Sequence, residues 1–403
     1  MSRTNTDAQG AVLAAIGGVY AAQGLVGGIT LQGMPAVLRA SGAELGQIGL
    51  MSLAILPWAL KFLWAPALER ARLPAGGGPR RTRAIVLTCQ AGMLALLLAL
   101  AAHGQPSVPA LLLMLSLLAV LASSADIACD AYAVEQLQPA RRGWGNAAQV
   151  GGSYLGMFAG AGLFLLLRAQ YGWTVALAGM AALLLLLSLP FTRAPEPMAR
   201  PAQAHRPSLA AAWRRPQVRG GLLITVLFQS GSRLVMTLSG PLLLDRGVAL
   251  STVGWLSGAG GVAAGLAGTG LGVWLQGHCR NALPLGLALQ ALGLAAIAAA
   301  VLAGGGAMLL MALLLVQTAL AAAGFVVLYA YLMGQASPLQ AGVDFTLFQC
   351  ADAAIAALAG VTGAALAQAL GYGPGYVFAA AWTLAACCAL PRVARHFSQG
   401  DLV

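Results

Sequence analysis

The chain has 403 residues, of which 59% are apolar and 8% are charged. An average soluble domain has about 25% charged residues, so this composition cannot cover a surface that faces water. It excludes a soluble enzyme, a nucleic-acid-binding protein and a disordered chain. The formal net charge of +11 comes from arginines that lie between apolar runs, which is the pattern of membrane topology and not of a nucleic-acid surface.

Apolar runs long enough to cross a membrane recur from end to end of the chain. A backbone exposed to lipid must satisfy its own hydrogen bonds, so these runs are predicted to be helices. The sequence therefore predicts an all-α membrane protein with 12 transmembrane helices. The spans are predicted at residues 11–33, 45–67, 83–102, 108–131, 144–167, 172–192, 220–243, 250–273, 282–303, 307–333, 342–369 and 372–391.

The distribution of arginine tests this count. With the N-terminus inside the cell, 17 arginines fall on the cytoplasmic side, and three, Arg39, Arg168 and Arg246, fall on the other side. The positive-inside rule requires such an asymmetry, and a missed span would scramble it. The sequence therefore predicts a multi-pass protein with both termini in the cytoplasm.

Several kinds of chemistry have no signal in the sequence. The six cysteines form no CxxC pair, and the four histidines lie in loops or in the tail, which predicts no disulfide and no intramembrane zinc site. No phosphate-binding loop and no Ser/His/Asp arrangement can be assembled. We therefore expect no catalytic residue, no cofactor and no resident metal, and we expect an ion gradient as the energy source.

The two halves of the chain resemble each other. Two sets of residues recur, the first at a shift of 199 positions and the second at a shift of 205. The first set is Ala131, Tyr132, Gln136, Pro139 and Gly143, matched by Ala330, Tyr331, Gln335, Pro338 and Gly342; the second is Gly42, Leu45, Ile48 and Gly49, matched by Gly247, Leu250, Val253 and Gly254. A parallel duplication of six spans is the architecture of secondary transporters. It predicts bundles at residues 1–192 and 220–403, joined by a cytoplasmic linker at 193–219.

Two predicted spans carry stripes of glycine. Span five has Gly152, Gly156 and Gly160 at steps of four residues. Span eight has Gly254, Gly258, Gly261, Gly265, Gly268 and Gly272. Such stripes let a neighbouring backbone approach closely. Static helix packing explains them, and so does an arrangement in which spans five and eight meet across the halves and slide during transport.

Charges inside spans cost at least ~2.5–3.5 kcal/mol near a helix centre, so each needs a reason. Lys61 is the sole lysine, and Asp126 and Asp130 lie one turn apart on span four. Arg233 is ~20 Å into span seven and Asp352 ~15 Å into span eleven at 1.5 Å per residue. We expect Arg233 and Asp352 to serve substrate binding or ion coupling, although a structural pair between them would also explain both.

The other polar side chains leave two interpretations each. Asp126, Asp130 and Asp344 fit proton carriers or solvated carboxylates at helix ends, and Lys61 fits a structural ion pair at a gate or a substrate contact. Spans one and seven each place an amide beside an aromatic ring, either in a wet cavity or against a neighbouring helix. These residues are Tyr20, Gln23, Phe228 and Gln229.

Two segments resemble a known family. Residues 56–70 (LPWALKFLWAPALER) are similar to the KFLW-x-P-x-x-[DE]-R signature, and residues 126–132 (DIACDAY) to the D-I-x-x-D-[AG] signature, of AmpG-like permeases in the major facilitator superfamily. The resemblance covers the whole chain. It implies a functional role for Lys61, Asp126 and Asp130, and it implies that spans two and eleven, and five and eight, pair across the halves. The residues that it implies for a cytoplasmic gate are Glu69, Arg70, Arg141, Arg142 and Asp344, the last within reach of Lys61.

The family contains a muropeptide branch and an iron–siderophore branch, the RhtX/FptX type. Residues 23–28 and 32–39 resemble the siderophore branch more closely. The resemblance thus implies a monomeric, proton-coupled importer of a ferri-siderophore in the bacterial inner membrane, in contact with membrane lipid and not with nucleic acid. Tyr20, Gln23, Lys61, Phe228, Gln229 and Arg233 would bind substrate, and Asp126, Asp130 and Asp352 would carry protons. A muropeptide permease, an efflux protein and a non-transporting receptor remain alternatives.

Overall fold

The computed structural model describes residues 2–41, 51–74, 78–196, 198–199 and 206–398. The beginning of predicted span two, with the repeat residues between 42 and 49, lies outside the described residues. Residues 197 and 200–205 of the predicted linker also lie outside them.

The described part of the chain is almost entirely helical. In the N-terminal half the α-helices are α1 (Ser2–Gly28), α2 (Met34–Ala40), α3 (Leu56–Leu60), α4 (Ala65–Arg72), α5 (Thr82–His103), α6 (Val108–Gln136), α7 (Arg142–Phe158) and α8 (Phe164–Thr192). Single π-helical turns continue α1 and α7 at Ile29–Gly33 and Ala159–Leu163. Two short strands, β1 (Gly78–Pro79) and β2 (Met198–Ala199), pair in an antiparallel ribbon.

The C-terminal half repeats this helical order. Its α-helices are α9 (Leu209–Arg214), α10 (Pro216–Asp245), α11 (Leu250–Trp255), α12 (Gly261–His278), α13 (Ala282–Leu302), α14 (Ala307–Gln335), α15 (Ala341–Leu370) and α16 (Tyr372–Ser398). A π-helical turn, Leu256–Gly260, joins α11 to α12. This turn lies in predicted span eight, whereas the π-helical turns of the N-terminal half lie in predicted spans one and five.

Among the described residues, 10 helical stretches are long and apolar enough to cross a membrane. One of them, Pro139–Thr192, has 54 residues and contains Gly172 with a φ of +87°. At this glycine the chain leaves the helical conformation, so the stretch accounts for the two predicted spans five and six. The fold class predicted from the sequence, an all-α multi-pass membrane protein, is confirmed.

Predicted span two is not a continuous helix in its described part. A 3-10 turn at Lys61–Leu63 separates α3 from α4, and Pro57 and Pro66 stand in the first turns of these two helices. Proline has no backbone N–H and favours the start of a helix over its interior. The prediction of one regular helix over residues 45–67 was therefore wrong, and the break places Lys61 at a bend.

The chain forms two compact units. Unit 1 comprises Met1–Leu209 together with Ser337–Thr346, and unit 2 comprises Ala210–Ala336 and Leu347–Val403. Each unit has its own apolar core. The core of unit 1 includes Leu25, Met93, Leu115 and Leu177, and the core of unit 2 includes Leu234, Leu294, Leu310 and Tyr376.

Glycines bring α1 and α7 into backbone contact within unit 1. A Cβ at Gly152, Gly156 or Gly160 would overlap backbone atoms of α1 around Gly17, Ala21 and Leu25. The glycine stripe of span five therefore packs against the first helix of its own unit. The interpretation of this stripe as a sliding surface toward span eight is corrected, because its close contacts lie inside unit 1.

In unit 2, glycines of α12 pack in the same manner. A Cβ at Gly268 or Gly272 would overlap the backbone of α14 near Ala319 and Ala323. At Gly254 and Gly258 an added Cβ would meet nothing within 4 Å. The stripe on span eight thus has two parts, and only the second part makes close backbone contact among the described residues.

The contact between α1 and α7 can be tested with two glycines three residues apart on α1. A Cβ at Gly24 would overlap the carbonyl oxygen of Ser153, whereas a Cβ at Gly27 would meet nothing within 4 Å. We expect Gly24→Ala to destabilise the purified protein by ~1–3 kcal/mol, because neither backbone can retreat. Gly27→Ala should leave the thermal unfolding midpoint in detergent almost unchanged. Equal midpoints for the two variants would contradict this packing.

Candidate functional site

In unit 1, Lys61 forms an ion pair with Asp126 of α6. The two side chains are 4% and 5% exposed, so neither end of the pair reaches bulk water. Beside it, the indole Nε1 of Trp64 donates a hydrogen bond to Ser124 Oγ at 3.1 Å. The break in span two thus places both a cation and an indole against α6.

The second carboxylate of α6, Asp130, is enclosed by donors from two other helices. Tyr20 Oη on α1 donates to Asp130 Oδ1, and Gln149 Nε2 on α7 donates to the same oxygen at 3.1 Å and to Tyr20 Oη at 3.0 Å. All three side chains are buried. The close approach of α1 and α7 at Gly152 is what lets Tyr20 and Gln149 meet over one carboxylate.

Asp126 and Asp130 lie four residues apart, so they share one face of α6. The expectation that they share a face is met, but the idea that they are solvated helix-end carboxylates is wrong. Asp126 and Asp130 are 4% and 0% exposed. We name Tyr20, Lys61, Asp126, Asp130 and Gln149 the unit 1 polar cluster.

A second charged group in unit 1 is centred on Arg72. Its Nε and Nη2 donate to the two carboxylate oxygens of Glu69 at 2.9 and 2.8 Å. Its Nη1 and Nη2 donate to the two carboxylate oxygens of Glu135 at 2.9 and 2.7 Å. Arg80 also pairs with Glu135. Burial opposes the charge of the Arg72 guanidinium, but Glu69 and Glu135 outweigh it and raise its pKa above the ordinary value.

The same carboxylate of Glu69 meets the start of α15. The backbone N–H of Gly342 donates to Glu69 Oε1 at 3.4 Å. Asp344 accepts from the Ser337 backbone N–H at 2.9 Å and from Gln340 Nε2 at 2.7 Å. A carboxylate at a helix N-terminus is favoured by the unpaired N–H groups there. Glu69 and Asp344, both predicted for a gate, therefore lie in unit 1 around the first turn of α15.

The arginines predicted with them lie elsewhere. Arg70 is exposed, and its Nε donates to the Pro207 carbonyl at 3.2 Å. Arg142 is half-buried, and its Nε has no hydrogen-bond partner among the described residues. Arg141 lies in the 3-10 turn before α7. The buried partner of Glu69 is Arg72 and not Arg70.

In unit 2, Arg233 of α10 and Asp352 of α15 form a bidentate ion pair. Arg233 Nε donates to Asp352 Oδ1 at 3.0 Å, and Nη2 donates to Oδ2. The guanidinium lies over the ring of Phe325 on α14, 5.0 Å from its centroid. The Arg233 side chain is 20% exposed and that of Asp352 is 9% exposed, so the arginine keeps an accessible edge.

Next to Arg233 on α10, Ser232 joins two buried amides. Its hydroxyl donates to Gln290 Oε1 on α13 and accepts from Gln317 Nε2 on α14 at 3.4 Å. Each amide lies over a glycine of the facing helix, because a Cβ at Gly324 would overlap Gln290 and a Cβ at Gly293 would overlap Gln317. We name Ser232, Gln290 and Gln317 the amide cluster.

The other residues predicted to bind substrate lie deeper than expected. Gln23 and Gln229 are 8% and 2% exposed, and the Nε2 atom of each has no hydrogen-bond partner among the described residues. Phe228 is fully buried against Gly286 and Gly324 in unit 2. Phe228 is thus a core side chain, and its assignment as a cavity residue is corrected.

Sequence reasoning missed several of these residues. Arg72 stands three residues after Glu69, a spacing that places the two on one helix face, and from the sequence it is included only among the 17 arginines of the cytoplasmic side. Gln149 is enclosed in a glycine-rich segment, and the amides of the amide cluster lie in apolar runs. A usable signal existed for one of them, because Gln90 and Gln290 are separated by 200 positions and both are buried on the third helix of their half.

The Arg72 group can be tested by removing its central cation. Arg72→Ala leaves Glu69 and Glu135 buried without their shared partner, so we expect a loss of ~3–5 kcal/mol in unfolding free energy. The unfolding free energy of Arg72→Lys should lie between those of Arg72→Ala and the unaltered protein, since an ammonium cannot form two bidentate pairs. The exposed Arg81, replaced by Ala, should change stability by no more than ~0.5 kcal/mol. Thermal unfolding in detergent gives the comparison, and an Arg72→Ala variant as stable as Arg81→Ala would refute the assignment.

The chain is similar in sequence to known proteins. Residues 15–171, which contain the whole unit 1 polar cluster, match the family model described as acetyl-coenzyme A transporter 1. The chain is 32% identical over 287 residues to the anhydromuropeptide permease of Escherichia coli strain K12, covering 68% of this chain and 56% of that protein. It is 29% identical over 270 residues to an uncharacterized protein of Haemophilus influenzae, covering 61% and 63%. The chain thus spans less than two thirds of the length of these relatives.

Solved structures match over nearly the whole chain. A bacterial homologue of the iron transporter ferroportin in an outward-facing state aligns with a TM-score of 0.69 and 15% identity, covering 96% of this chain and 99% of that one. The human organic anion transporter MFSD10 aligns with a TM-score of 0.70 and 17% identity, covering 94% and 99%. FucP, a major facilitator superfamily transporter crystallised in the outward conformation, aligns with a TM-score of 0.69 and 17% identity, covering 96% and 98%.

None of these named relatives and structural neighbours is an enzyme. The expectation that the chain is not an enzyme agrees with them. At identities of 15–17% the structural neighbours establish architecture alone. The chain has the fold of the major facilitator superfamily of transporters.

Proposed function

We propose that this chain is a secondary transporter that carries a small anionic solute by alternating access, driven by protons, in the bacterial inner membrane with both termini in the cytoplasm. The observation that carries the proposal is the unit 1 polar cluster. It places two buried aspartates on one face of α6, each held by donors from other helices. A carboxylate at this depth is expensive, and such groups typically mark ion or substrate pathways.

The two aspartates have different surroundings, which supports a division of labour. Asp130 accepts two hydrogen bonds from uncharged donors, Tyr20 and Gln149, whereas Asp126 is paired with the cation Lys61. A proton that arrives at Asp126 breaks the ion pair and frees Lys61. We assign the coupling proton to Asp126, because its protonation would change how an ion pair holds unit 1 together, and Tyr20 with Gln149 positions Asp130 beside it.

The substrate class rests on the relatives. The name anhydromuropeptide permease supports a peptidoglycan fragment, and muropeptides carry carboxylates that a buried cation would attract. The ferri-siderophore expected from residues 23–28 and 32–39 has support from those segments alone. We therefore place the muropeptide first and retain the siderophore as the alternative substrate, in each case with one chain acting as the transporting unit.

Uptake into proteoliposomes tests the function. An inward proton gradient should drive accumulation of labelled anhydro-N-acetylmuramyl tripeptide, and an uncoupler should abolish it. Labelled iron–siderophore, supplied in parallel, identifies the alternative substrate. If neither compound accumulates with the gradient applied, the transport proposal fails for both substrates.

The role of Asp126 gives a sharper prediction. Asp126→Asn should reduce gradient-driven uptake by about tenfold or more, since each ~1.4 kcal/mol of barrier is tenfold in rate. It should retain some exchange of labelled for unlabelled substrate, because exchange needs no net proton movement. Asp245→Asn is the matched control, since Asp245 is exposed at the end of α10. Unchanged gradient-driven uptake in Asp126→Asn would remove this aspartate from the coupling mechanism.

A further inference from the structure

Among the described residues, each unit has a cation paired with an aspartate between its helices, and the two pairs differ in access. The Lys61 and Asp126 side chains are 4% and 5% exposed. The Arg233 side chain is 20% exposed while its partner Asp352 is 9% exposed. The Arg233 side chain is therefore partly accessible, whereas the Lys61 side chain is enclosed.

The Arg233–Asp352 pair is electrically isolated along the helices of unit 2. In residues 220–244, 250–277, 282–335 and 345–391 these two are the only Lys, Arg, Asp or Glu residues. Along α10 the next charges, Arg219 and Asp245, are ~21 and ~18 Å away at 1.5 Å per residue. Within those ranges the other titratable side chains are tyrosines and cysteines. They are Tyr329, Tyr331, Cys350, Tyr372, Tyr376, Cys387 and Cys388.

Arg233 has the geometry of a carboxylate-binding group, and the carboxylate that it binds in this structure is that of Asp352. Two N–H groups of Arg233 meet the two oxygens of Asp352, which is the bidentate fit that a free carboxylate also makes. The ring of Phe325 covers one face of the guanidinium, so a planar anion must come to the edge. Ser232, held by hydrogen bonds to Gln290 and Gln317, fixes the adjoining turn of α10.

We propose that Asp352 is a displaceable internal ligand of Arg233, and that a carboxylate of the transported solute takes its place on the guanidinium. This inference deepens the proposed transport function, on which its link to transport rests. It assigns anion recognition to Arg233 rather than to Lys61. The ligand class is a carboxylate or another planar anion with two adjacent oxygens.

Charge balance couples the displacement to a proton. An arginine cannot release its own proton in a protein, so the Arg233 site is neutral in two states: Arg233 with ionised Asp352, or Arg233 with the solute anion and protonated Asp352. In the second state one proton has passed from solution to an oxygen of Asp352. Protonation without the anion would leave an unpaired cation among apolar helices, and binding without protonation would leave an unpaired anion. One proton therefore enters with each carboxylate that binds Arg233.

Chemical rescue by formate tests the receptor without reference to the natural substrate. In Asp352→Ala, formate should raise the thermal unfolding midpoint of the purified protein by about 2–4 °C, because it refills the bidentate edge. Formamide, which has the same shape and no charge, should have no effect. The double variant Arg233→Ala/Asp352→Ala should lose the response to formate.

The unaltered protein supplies an arm that does not depend on the folding of any variant. Formate should stabilise it at acidic pH and not at neutral pH, because the carboxylate binds only when Asp352 is protonated. Asp245→Ala should behave like the unaltered protein. The proposal is overturned if formate acts no better than formamide in Asp352→Ala, or if the unaltered protein ignores formate at acidic pH.

These outcomes are separate from those of the uptake experiment. A response to formate without uptake of muropeptide or siderophore would uphold the anion receptor and defeat the transport proposal. Uptake without a response to formate would uphold transport and remove Arg233 from anion recognition. In uptake assays, Asp352→Asn should bind substrate equally at acidic and neutral pH and lose its accumulation against a gradient.

Discussion

The arrangement of this protein depends on one constraint: a charge placed among apolar helices must meet an opposite charge or several donors. Unit 1 satisfies it with Lys61 and Asp126, and with Tyr20 and Gln149 around Asp130. Unit 2 satisfies it with Arg233 and Asp352. Since each pair joins residues from two different helices, the same contacts that neutralise charge also tie the helices together. The same side-chain contacts thus determine both charge neutralisation and helix packing in this fold.

Glycines let the helices come close enough for these contacts to form. The donors to Asp130 come from α1 and α7, and these helices lie close enough for both to reach because glycines remove the side chains between them. Around Arg72 the partners are charged side chains instead, because the carboxylates of Glu69 and Glu135 each bind the guanidinium through two oxygens. Breaking either arrangement leaves a buried group with no substitute partner, so small changes at these positions have large consequences.

Hydropathy was sufficient to predict an all-α membrane fold, because lipid allows few ways to satisfy a backbone. The bend at Lys61 was not predicted, although Pro57 and Pro66 bracket it, since apolar composition continues unbroken through the bend. Depth along a helix singled out Arg233 and Asp352, and the structure pairs them with each other, while their role in substrate binding or ion coupling stays a prediction. Depth could not identify Phe228 as core or Arg72 as buried, because which face of a helix is covered depends on neighbours that are distant in sequence.

The amide cluster has a consequence for how α13 and α14 change over evolutionary time. Gln290 sits over a glycine of α14, and Gln317 sits over a glycine of α13. Enlarging either glycine evicts the opposite amide, and shortening either amide opens a hole above the opposite glycine. The residues at these four positions therefore depend on one another in two glycine–glutamine pairs. Substitutions there should be tolerated when both members of a pair change together, and not when one changes alone.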